Sequence, residues 1–410
     1  MDWRNENRPL GISRLRIFDA VARTGTMSAA AALLHLTQPA VTRAVQALES
    51  DLGARLIERR RAGSFLTAKG AILARRTERF FQQLDAAIAA TITADPHGHH
   101  IRRLTRRIAD VHIRCLIAIG KARSFRGAAG ALGIAEPTLH RPARDLERLV
   151  KTPLFRRTPE GMDLSAAGAE LARQFTLACV EIATGLEELA HDRSAAGQTM
   201  RLGVLPLAPK RQLAAVTEAL LRRHPHSRLT IHEASYDDLV VTLRNGAVDV
   251  IFGALRAPAP FEDLREESLF DDPYGIVCRK DHPLARRSHV AIADIKKYNW
   301  IFPTPSLPRR AMLDAILAAW NLPQRVQIET NSLGSLIADL AASDHISLLP
   351  RAYDDHSGLL TVLDIPVPHP QRLVGLTTRR DWLPTDFHAD CLALLRKTAA
   401  DNTRGRENRA

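Results

Sequence analysis

Cysteine is scarce in this chain, and long apolar runs are missing. The four cysteines among 410 residues, Cys115, Cys179, Cys278 and Cys391, form no Cys-x-x-Cys pair. Because cysteines this far apart suggest neither a disulfide framework nor a zinc cluster, we expect four reduced thiols. No apolar run approaches the roughly 20 residues that cross a bilayer, and the polar residues 1–8 do not resemble a secretory signal. The expected protein is cytoplasmic and has no membrane partner.

Signatures of catalysis are missing as well. The sequence has no nucleophile–base set, no Walker loop and no cage of metal ligands. His97, His99 and His100 cluster, but histidines in a flexible linker usually bind nothing specific, and no cysteine or carboxylate supplies a convincing fourth ligand. We therefore predict no catalytic residue, no metal site and no cofactor.

Positive charge is concentrated in the first half of the chain. Residues 1–197 contain 30 Lys and Arg against 20 Asp and Glu, whereas the rest contains 27 against 25. A basic half is typical of a protein that binds a polyanion, since neutralising phosphates releases counterions from nucleic acid. A solvated basic surface would explain the charge alone, so the motifs must decide. The chain is also too long for one core and fits two or three domains.

A long segment of this basic half is duplicated. Residues 29–49 and 127–147 spell nearly the same helix-turn-helix at a fixed offset of 98 residues, and the match continues without gaps to residues 70 and 168. Self-similarity at one offset indicates a duplicated structural unit. Coinciding positions include Pro39/Pro137, Arg43/Arg141, Leu48/Leu146, Glu49/Glu147, Leu56/Leu154 and Gly70/Gly168.

The first copy contains a helix suited to reading DNA bases. Thr37 is a good N-cap, and apolar residues at positions 41, 45 and 48 form an inward face. Glutamine can bind adenine, arginine can bind guanine or phosphate, and threonine or proline can contact a thymine methyl group. A solvated helix face would explain any single polar residue, but the whole set favours DNA binding. The predicted contacts are Thr37, Gln38, Pro39, Thr42, Arg43 and Gln46.

A hairpin wing and a long helix are expected next. The wing spans residues 56–66, and Arg59, Arg60 and Arg61 at its tip would grip phosphates without reading sequence. Thr67 is expected to cap a helix that runs to about Ile92. The apolar stripe of this helix has little local core to join, which implies a helix partner. The stripe consists of Leu73, Phe80, Leu84 and Ile88.

The second copy keeps the apolar skeleton but loses the reading face. Ala135 stands where Thr37 caps the first copy, Glu136 would repel phosphate, and Pro142 lies inside the helix. An interior proline costs roughly 3 kcal/mol, so this helix should kink or stop early. Direct base recognition by the second copy is therefore not expected.

The second long helix has the spacing of a coiled-coil seam, with Gly185 as its weak position. We hypothesise that the two long helices of one chain pair antiparallel and form an internal pseudo-dimer, with one reading head and one degenerate head. Pro96 and Gly98 in the short junction between the copies permit the reversal. The seam residues are Leu171, Phe175, Ala178, Ile182 and Leu189.

Beyond residue 198 short apolar strands alternate with amphipathic helices. This order indicates a parallel or mixed sheet covered on both sides, with ligands bound beyond the carboxyl ends of the strands. The fold class that we predict is a mainly α, duplicated winged helix-turn-helix region followed by an α/β domain.

Two groups of motifs closely resemble LysR-type transcriptional regulators. Thr37-Gln-Pro-Ala-Val-Thr-Arg43 and Leu66-Thr67-x-x-Gly70 are similar to the winged head, and Leu243-Arg-Asn-Gly-Ala-Val-Asp-Val-Ile-Phe-Gly253 and Ile346-Ser-Leu-Leu-Pro350 to the effector domain. The resemblance implies a two-lobed, periplasmic-binding-protein-like sensor, promoter DNA as partner, homo-oligomers, and RNA polymerase as a partner if the protein activates. The sensor looks most like the subgroup that regulates sugar-binding-protein and aromatic-acid genes. Ordinary members carry one head, so the second head is a departure from the family.

The domains expected from these patterns follow one another along the chain. They are a head at 13–70, a linker helix at 71–93, a degenerate head at 101–168, a second linker helix at 169–192, and an effector domain at 198–397. The resemblance further divides the effector domain into lobe I, 198–277 with 357–397, and lobe II, 278–356.

The resemblance also places the effector cleft. Thr304, Ser306, Arg309 and Ser332 are the plausible donors, because sites of this kind hold a carboxylate or sugar with hydroxyls and one cation. Ser332 could instead only cap a helix, and Arg309 could be solvated. The apolar Leu207-Ala208-Pro209 departs from the family pattern and leaves the effector class open. The expected lining is Pro206, Leu207, Ala208, Phe252, Gly253, Phe302, Thr304, Arg309, Asn331 and Ser332.

The function that we predict is transcription control in which a small effector closes the cleft and changes the geometry of the heads on DNA. The alternative is a cytoplasmic small-molecule binding protein whose heads serve only assembly. A transporter's solute-binding protein would explain the sensor but neither the heads nor the missing signal.

Overall fold

The computed structural model describes residues 11–60, 63–92, 98–159, 161–190, 197–256, 259–351, 353, 358–368 and 372–407. The chain divides into two compact units, residues 1–198 and 199–410. Among the helices of these described ranges, none is both long and apolar enough to cross a membrane. All four cysteines are free, and burial raises the pKa of each thiol to about 12.

The first copy of the duplicated segment folds as a winged helix-turn-helix. Thr37 and Thr67 cap the third and fourth helices as predicted, because their hydroxyls accept hydrogen bonds from the backbone N–H groups of Ala40 and Gly70. Gly25 ends the first helix with φ of 73°. The elements are α1 (Ile12–Thr24), α2 (Met27–Leu34), α3 (Gln38–Leu52), β1 (Ile57–Arg60), β2 (Gly63–Leu66) and α4 (Ala68–Thr91).

The second copy repeats this order after a short helix, α5 (Gly98–Thr105). Gly70 and Gly168 are equivalent in structure as well as in sequence, because a Cβ on either would lie 2.0 Å from a carbonyl oxygen, that of Leu56 or Leu154. Only glycine fits these two contacts. The repeated elements are α6 (Asp110–Ala122), α7 (Phe125–Leu132), α8 (Glu136–Val150), β3 (Phe155–Thr158), β4 (Gly161–Leu164) and α9 (Ala166–Ala190).

Pro142 does not stop α8, so the expectation of an early end is wrong. The helix continues to Val150 and contains 15 residues, as many as α3. Leu139, Ala143 and Leu146 are buried on the same helix. Full burial of a leucine side chain contributes about 1.5–3 kcal/mol. The two leucines together therefore offset the roughly 3 kcal/mol cost of the proline.

Helices α4 and α9 pack against each other and are antiparallel, as predicted. Arg75 contacts Glu188 and Arg79 contacts Glu181, so the chain positions rise along one helix as they fall along the other. Phe80 of α4 is completely buried. The apolar stripe of the first long helix therefore has its partner within the same chain. The other predicted stripe and seam residues are all 5% exposed or less, namely Leu73, Leu84, Ile88, Leu171, Phe175, Ala178, Ile182 and Leu189.

The second unit begins with a five-stranded sheet of order β6-β5-β7-β14-β8. Strand β5 is parallel to β6 and β7, whereas β14 is antiparallel to β7 and β8. Buried side chains of α10 and α15 share one core with this sheet, and those of α11 lie in another. The elements are β5 (Thr199–Val204), α10 (Lys210–Arg223), β6 (Arg228–Glu233), α11 (Tyr236–Arg244), β7 (Val250–Ala254), β8 (Leu264–Asp271), β14 (Leu373–Arg379) and α15 (Asp386–Glu407).

The second lobe is formed by two smaller sheets, β12-β9-β13 and β10-β11, around one core. A parallel bridge between Trp300 of β10 and Ile346, the residue before β12, links the two sheets. The mixed α/β, two-lobed fold is thus confirmed. The elements are β9 (Tyr274–Arg279), α12 (Ile292–Ile295), β10 (Trp300–Pro303), α13 (Pro308–Ala319), β11 (Val326–Thr330), α14 (Leu333–Ala342), β12 (Ser347–Pro350) and β13 (Leu360–Val362).

The structure corrects the boundary between the lobes. The division predicted after residue 277 falls inside β9, which pairs along its length with β12 and β13. Leu363 and Ile365 also pack in the second core. Because a continuous strand belongs to one sheet, the chain enters the second lobe before Tyr274 and leaves it after Ile365.

Candidate DNA interface and effector cleft

Helix α3 has one buried and one solvent-facing side. Val41, Val45 and Leu48 are buried in the head, as the helical spacing predicts. Pro39 lies in the first turn, where the absence of its N–H costs little. The opposite side presents amide, guanidinium and hydroxyl groups to solvent. Thr37, Gln38, Pro39, Arg43 and Gln46 are exposed, and Thr42 is half-buried.

The predicted wing is a two-stranded hairpin anchored to the end of α1. Ser64 donates its backbone N–H to the carbonyl of Gly25 at 2.9 Å. Arg59 and Arg60 occupy positions on β1. Arg61 lies outside the described residues.

The equivalent surface of the second head begins with an acid and carries more ion pairs. Ala135 makes no side-chain cap for α8. Glu136 is exposed, and its Oε1 lies 3.8 Å from Nε2 of His140. Two exposed arginines further along are paired with acids, Arg144 with Glu147 and Arg148 with Asp145, both at 2.9 Å, while Arg141 is exposed like its equivalent Arg43. The two heads thus share a skeleton but differ in surface chemistry.

A buried cluster of charges joins α4 to α9, and the sequence patterns did not predict it. Arg76 is 1% exposed; its Nη1 donates to Glu181 at 2.8 Å and its Nε donates to Glu188 at 2.7 Å. Burial alone would lower the pKa of Arg76, but the hydrogen bonds and charges of the two glutamates raise it above its ordinary value. The sequence did contain a signal for this cluster, because an arginine interrupts the apolar stripe of α4 and two glutamates interrupt the apolar stripe of α9.

Gly185, the weak position of the predicted seam, contacts Arg76. A Cβ at position 185 would lie 2.9 Å from Cγ and 3.0 Å from Cβ of that arginine. The missing side chain therefore makes room for the arginine that forms the charge cluster.

The predicted effector positions separate into buried and surface groups. Ala208, Phe252 and Phe302 are packed in hydrophobic cores, so only their backbone is available to a ligand. Gly253 has φ of 155°, and a Cβ there would lie 2.6 Å from the Leu205 side chain. These four positions contribute to packing around the cleft more than to its polar surface.

The remaining positions lie where the lobes meet or at helix ends. Leu207, from the first lobe, packs against a hydrophobic cluster of the second that includes Ile301 and Leu349. Thr304 Oγ1 lies 3.2 Å from Ser306 Oγ. Ser332 caps α14 by accepting a hydrogen bond from the N–H of Ser335 at 3.2 Å. Pro206 is half-buried, whereas Asn331 and Ser332 are exposed.

Arg309 is buried and lies close to a second buried arginine, Arg372. Its Nη1 donates to the carbonyl of Leu348 at 3.1 Å, while its Nε has no hydrogen-bond partner among the described residues. Burial lowers the pKa of Arg309; Tyr274 raises it, and the charge of Arg372 lowers it further. Arg309 is therefore not the solvated residue that the sequence left as an alternative.

Arg372 connects this region to the first lobe. Its Nη1 donates to Asp272 at 2.8 Å and its Nη2 to the Leu207 carbonyl at 3.3 Å, and its Nε also lacks a partner within the described ranges. Sequence reasoning missed Arg372, because no motif includes it and only the fold brings it near Arg309, 63 residues earlier.

Family models match most of the chain. The model of the LysR substrate binding domain matches residues 193–400, and that of the bacterial regulatory helix-turn-helix protein, lysR family, matches twice, at 12–71 and 111–169. The chain belongs to the LysR family. It is a DNA-binding transcriptional regulator with an effector-binding domain, and the double match confirms the duplicated head. The alternative in which the heads serve only assembly is not supported.

Known LysR-type proteins extend this similarity. The HTH-type transcriptional regulator GalR of Pseudomonas putida is 28% identical over 399 residues, covering 95% of this chain and 98% of GalR. PcaQ of Agrobacterium fabrum is 24% identical over 305 residues, covering 73% of this chain and 98% of PcaQ. These relatives are transcriptional regulators, a class that is generally not enzymatic.

Similarity to a solved structure supports the fold but carries no argument about function. Full-length OxyR from Pseudomonas aeruginosa, solved as a cysteine variant, has a TM-score of 0.52 at 21% identity, covering 70% of this chain and 93% of OxyR. Within the described residues, no group of three or more His, Cys, Asp or Glu could hold a metal ion. Of the predicted histidine cluster, His97 lies outside those residues.

Proposed function

We propose that the first head reads promoter DNA with the solvent-facing side of α3 and that its wing grips the flanking phosphates. The exposed amides and guanidinium at Gln38, Arg43 and Gln46 support this assignment, because they lie in the first turns of the second helix of the motif. The single observation that carries the proposal is the division of α3 into an apolar buried face and this polar exposed face. Thr37, Pro39 and Thr42 complete the surface, and Arg59, Arg60 and Arg61 are the phosphate contacts of the wing.

The test is a DNA-binding titration at several salt concentrations on the region upstream of the protein's own gene. A Gln38→Ala/Arg43→Ala variant should lose specific binding, since each bidentate base contact contributes about 1–3 kcal/mol of discrimination. The matched control is Glu136→Ala/Arg141→Ala in the second head, which should retain it. Equal losses in both variants would show that both heads read bases, and purely non-specific binding by the wild type would contradict the proposal.

We further propose that the effector carries a carboxylate and binds where the two lobes meet. Arg309 and Arg372 place two guanidinium groups in one buried region. Arg372 is hydrogen-bonded to the carboxylate of Asp272. The two Nε–H groups described above supply donors for an anion, and a charged hydrogen bond is stronger when buried. Pro206, Leu207, Thr304, Asn331 and Ser332 form the rest of the proposed site. This chemistry favours an aromatic acid over a sugar.

Thermal unfolding of the full chain distinguishes the two effector classes. A panel of aromatic carboxylic acids and neutral hexoses is added in turn, and binding raises the unfolding temperature by mass action. An acid should stabilise the wild type but not Arg309→Gln. The control Arg310→Gln changes the neighbouring arginine, which is bonded to Asp314, and should retain the response. Stabilisation by a hexose alone would contradict the acid proposal.

Effector binding would control transcription by favouring one arrangement of the lobes. Coupling requires that the effector bind two conformations with different affinity. We propose that the change alters the geometry of the heads on DNA, that the protein acts as a homo-oligomer in the cytoplasm, and that an activating form contacts RNA polymerase.

A further inference from the structure

The two pairing helices differ at the positions that hold the buried charges. Where α4 has Arg76, the equivalent residue of α9, 98 positions later, is Gln174. Where α9 has Glu181 and Glu188, the equivalent residues of α4 are Gln83 and Ala90. The arginine and its two acids are therefore divided between the copies, one charge sign on each helix.

This division excludes pairing of a helix with its own copy. Two α4 helices in the same antiparallel arrangement would place buried Arg76 opposite Gln83 and Ala90, without a carboxylate. Two α9 helices would bury Glu181 and Glu188 opposite Gln174 and Leu177, the equivalents of Arg76 and Arg79; only Arg75 has an arginine equivalent, Arg173, which is paired with Glu170. A buried charge without its partner is strongly destabilising, so the charges specify α4 with α9.

The packing at Gly185 adds a steric restriction to the electrostatic one. The residue of α4 equivalent to Gly185 is Ala87. Since a Cβ opposite Arg76 would lie within 3.0 Å of its side-chain carbons, a second α4 would also clash there.

The two heads are related by an approximate two-fold axis. The backbone N–H of Ile12 donates to the carboxylate of Asp110 at 3.2 and 3.3 Å, and these residues occupy equivalent positions in the two copies. A residue that contacts its own equivalent lies beside a two-fold axis. Arg16 strengthens this junction by donating to the carbonyls of Thr105 and Arg106 at 3.1 Å. One chain thus contains the paired arrangement that a symmetric dimer forms from two chains.

The symmetry does not extend to the surface that would face DNA. Besides Glu136 in place of Gln38, the second wing has Thr158, Pro159 and Glu160 where the first has Arg60, Arg61 and Ala62. The second wing also has Arg156 in place of Glu58 and Asp163 in place of Phe65, so it carries two arginines and two acids where the first carries three arginines and one acid. Acids at these positions repel phosphates, so the second copy lacks the predicted base contacts and has a weaker phosphate grip in its wing.

We infer that one chain is a complete two-headed DNA-binding unit and that it reads a single, asymmetric half-site of duplex DNA. Pairing of α4 with α9 inside the chain replaces pairing of these long helices between chains, so the proposed homo-oligomer forms through other surfaces. The second head supports the first without adding a second half-site. The inference rests on the proposed role of α3. In this inference, Arg76, Glu181 and Glu188 determine that α4 pairs with α9.

Zero-length crosslinking tests the pairing in the full-length protein. In Arg75→Lys the introduced amine lies near Glu188, so carbodiimide should join α4 to α9 in a product with the mass of one chain. The added Glu188→Gln change, which removes the carboxylate, should abolish that linked peptide. The same α4–α9 peptide found in products of two-chain mass would overturn the inference.

Selection from short random duplexes tests the DNA partner. A randomised segment of about 20 base pairs, roughly two turns, accommodates one pair of heads. Wild-type protein should enrich one non-palindromic half-site and saturate the selected duplex at one chain per half-site. An inverted repeat bound by two chains would overturn the inference while leaving the role of α3 intact. Failure to enrich any motif would contradict both, which separates the two results.

Discussion

The backbone of Gly185 in α9 lies against the side chain of Arg76 in α4, with no room for a Cβ between them. Gly185→Ala should therefore destabilise the first unit. Overpacking costs about 1–3 kcal/mol, which exceeds the roughly 1 kcal/mol that alanine gains over glycine in a helix. The measurement is urea unfolding followed by far-ultraviolet circular dichroism, since Trp300, Trp320 and Trp382 report on the second unit.

Gly130 in α7 provides the matched control for this substitution. A Cβ there would meet nothing within 4 Å, so Gly130→Ala should leave stability unchanged or raise it by up to about 1 kcal/mol. If both variants shift the unfolding midpoint in the same direction, the space between residue 185 and Arg76 is not as restricted as the structure indicates.

Removal of Arg76 should cost more than removal of any exposed arginine. Arg76→Met removes the buried partner of Glu181 and Glu188 and leaves them only the more exposed Arg79 and Arg75, and breaking a buried pair costs about 3–5 kcal/mol. The control is Arg23→Met, which removes a 66% exposed arginine paired with Asp19 and should change stability by less than about 1 kcal/mol. Comparable unfolding midpoints for the two variants would contradict the importance assigned to the buried cluster.

The second unit should lose stability in mild acid because of His282. This histidine is fully buried, and its burial lowers its pKa below 6.5, although its bond to the Asp344 carbonyl and the charge of Asp344 act in the opposite direction. Since the unfolded chain binds a proton at a higher pH than the folded one, stability falls as pH decreases through 6.5 towards the folded pKa. Tryptophan fluorescence during urea unfolding, compared between about pH 7.5 and about pH 5.5, measures the loss.

His282→Gln should reduce this pH dependence, because no group at the position titrates any longer. His289→Gln changes an exposed histidine and should leave the dependence unaltered. An unchanged pH profile in His282→Gln would assign the acid sensitivity to other groups.

The wing should contribute affinity without sequence preference. Arg59→Gln should weaken binding equally on specific and non-specific duplexes and reduce the slope of log affinity against log salt by about 1. Arg157→Gln changes the equivalent position in the second wing and should leave the slope almost unaltered. Equal reductions in slope would place both wings on phosphates.

Much of the first unit could be predicted because its signals are local or periodic. The caps at Thr37 and Thr67, the outer face of α3 and the apolar stripe through Phe80 depend on residues within a few turns of one another. The offset of 98 residues likewise requires only comparison of the chain with itself. Local hydrogen bonding and helical spacing are sufficient for such features.

Other features depend on contacts between distant residues. The continuation of α8 through Pro142 is decided by burial against the rest of the head, and the placement of β9 by its pairing with β12 and β13. No spacing rule connects Arg309 with Arg372, because the fold alone brings them together.

By itself, the sequence determined that the chain carries two winged heads and an α/β domain, and which head retains residues suited to bases; the two lobes were implied by the resemblance to LysR-type regulators. Only the tertiary structure decided that Arg76 is matched to Glu181 and Glu188 and that Gly185 makes room for it. The physical reason is that capping and periodicity act over a few residues, whereas the match of buried charges depends on the register between helices about 100 residues apart.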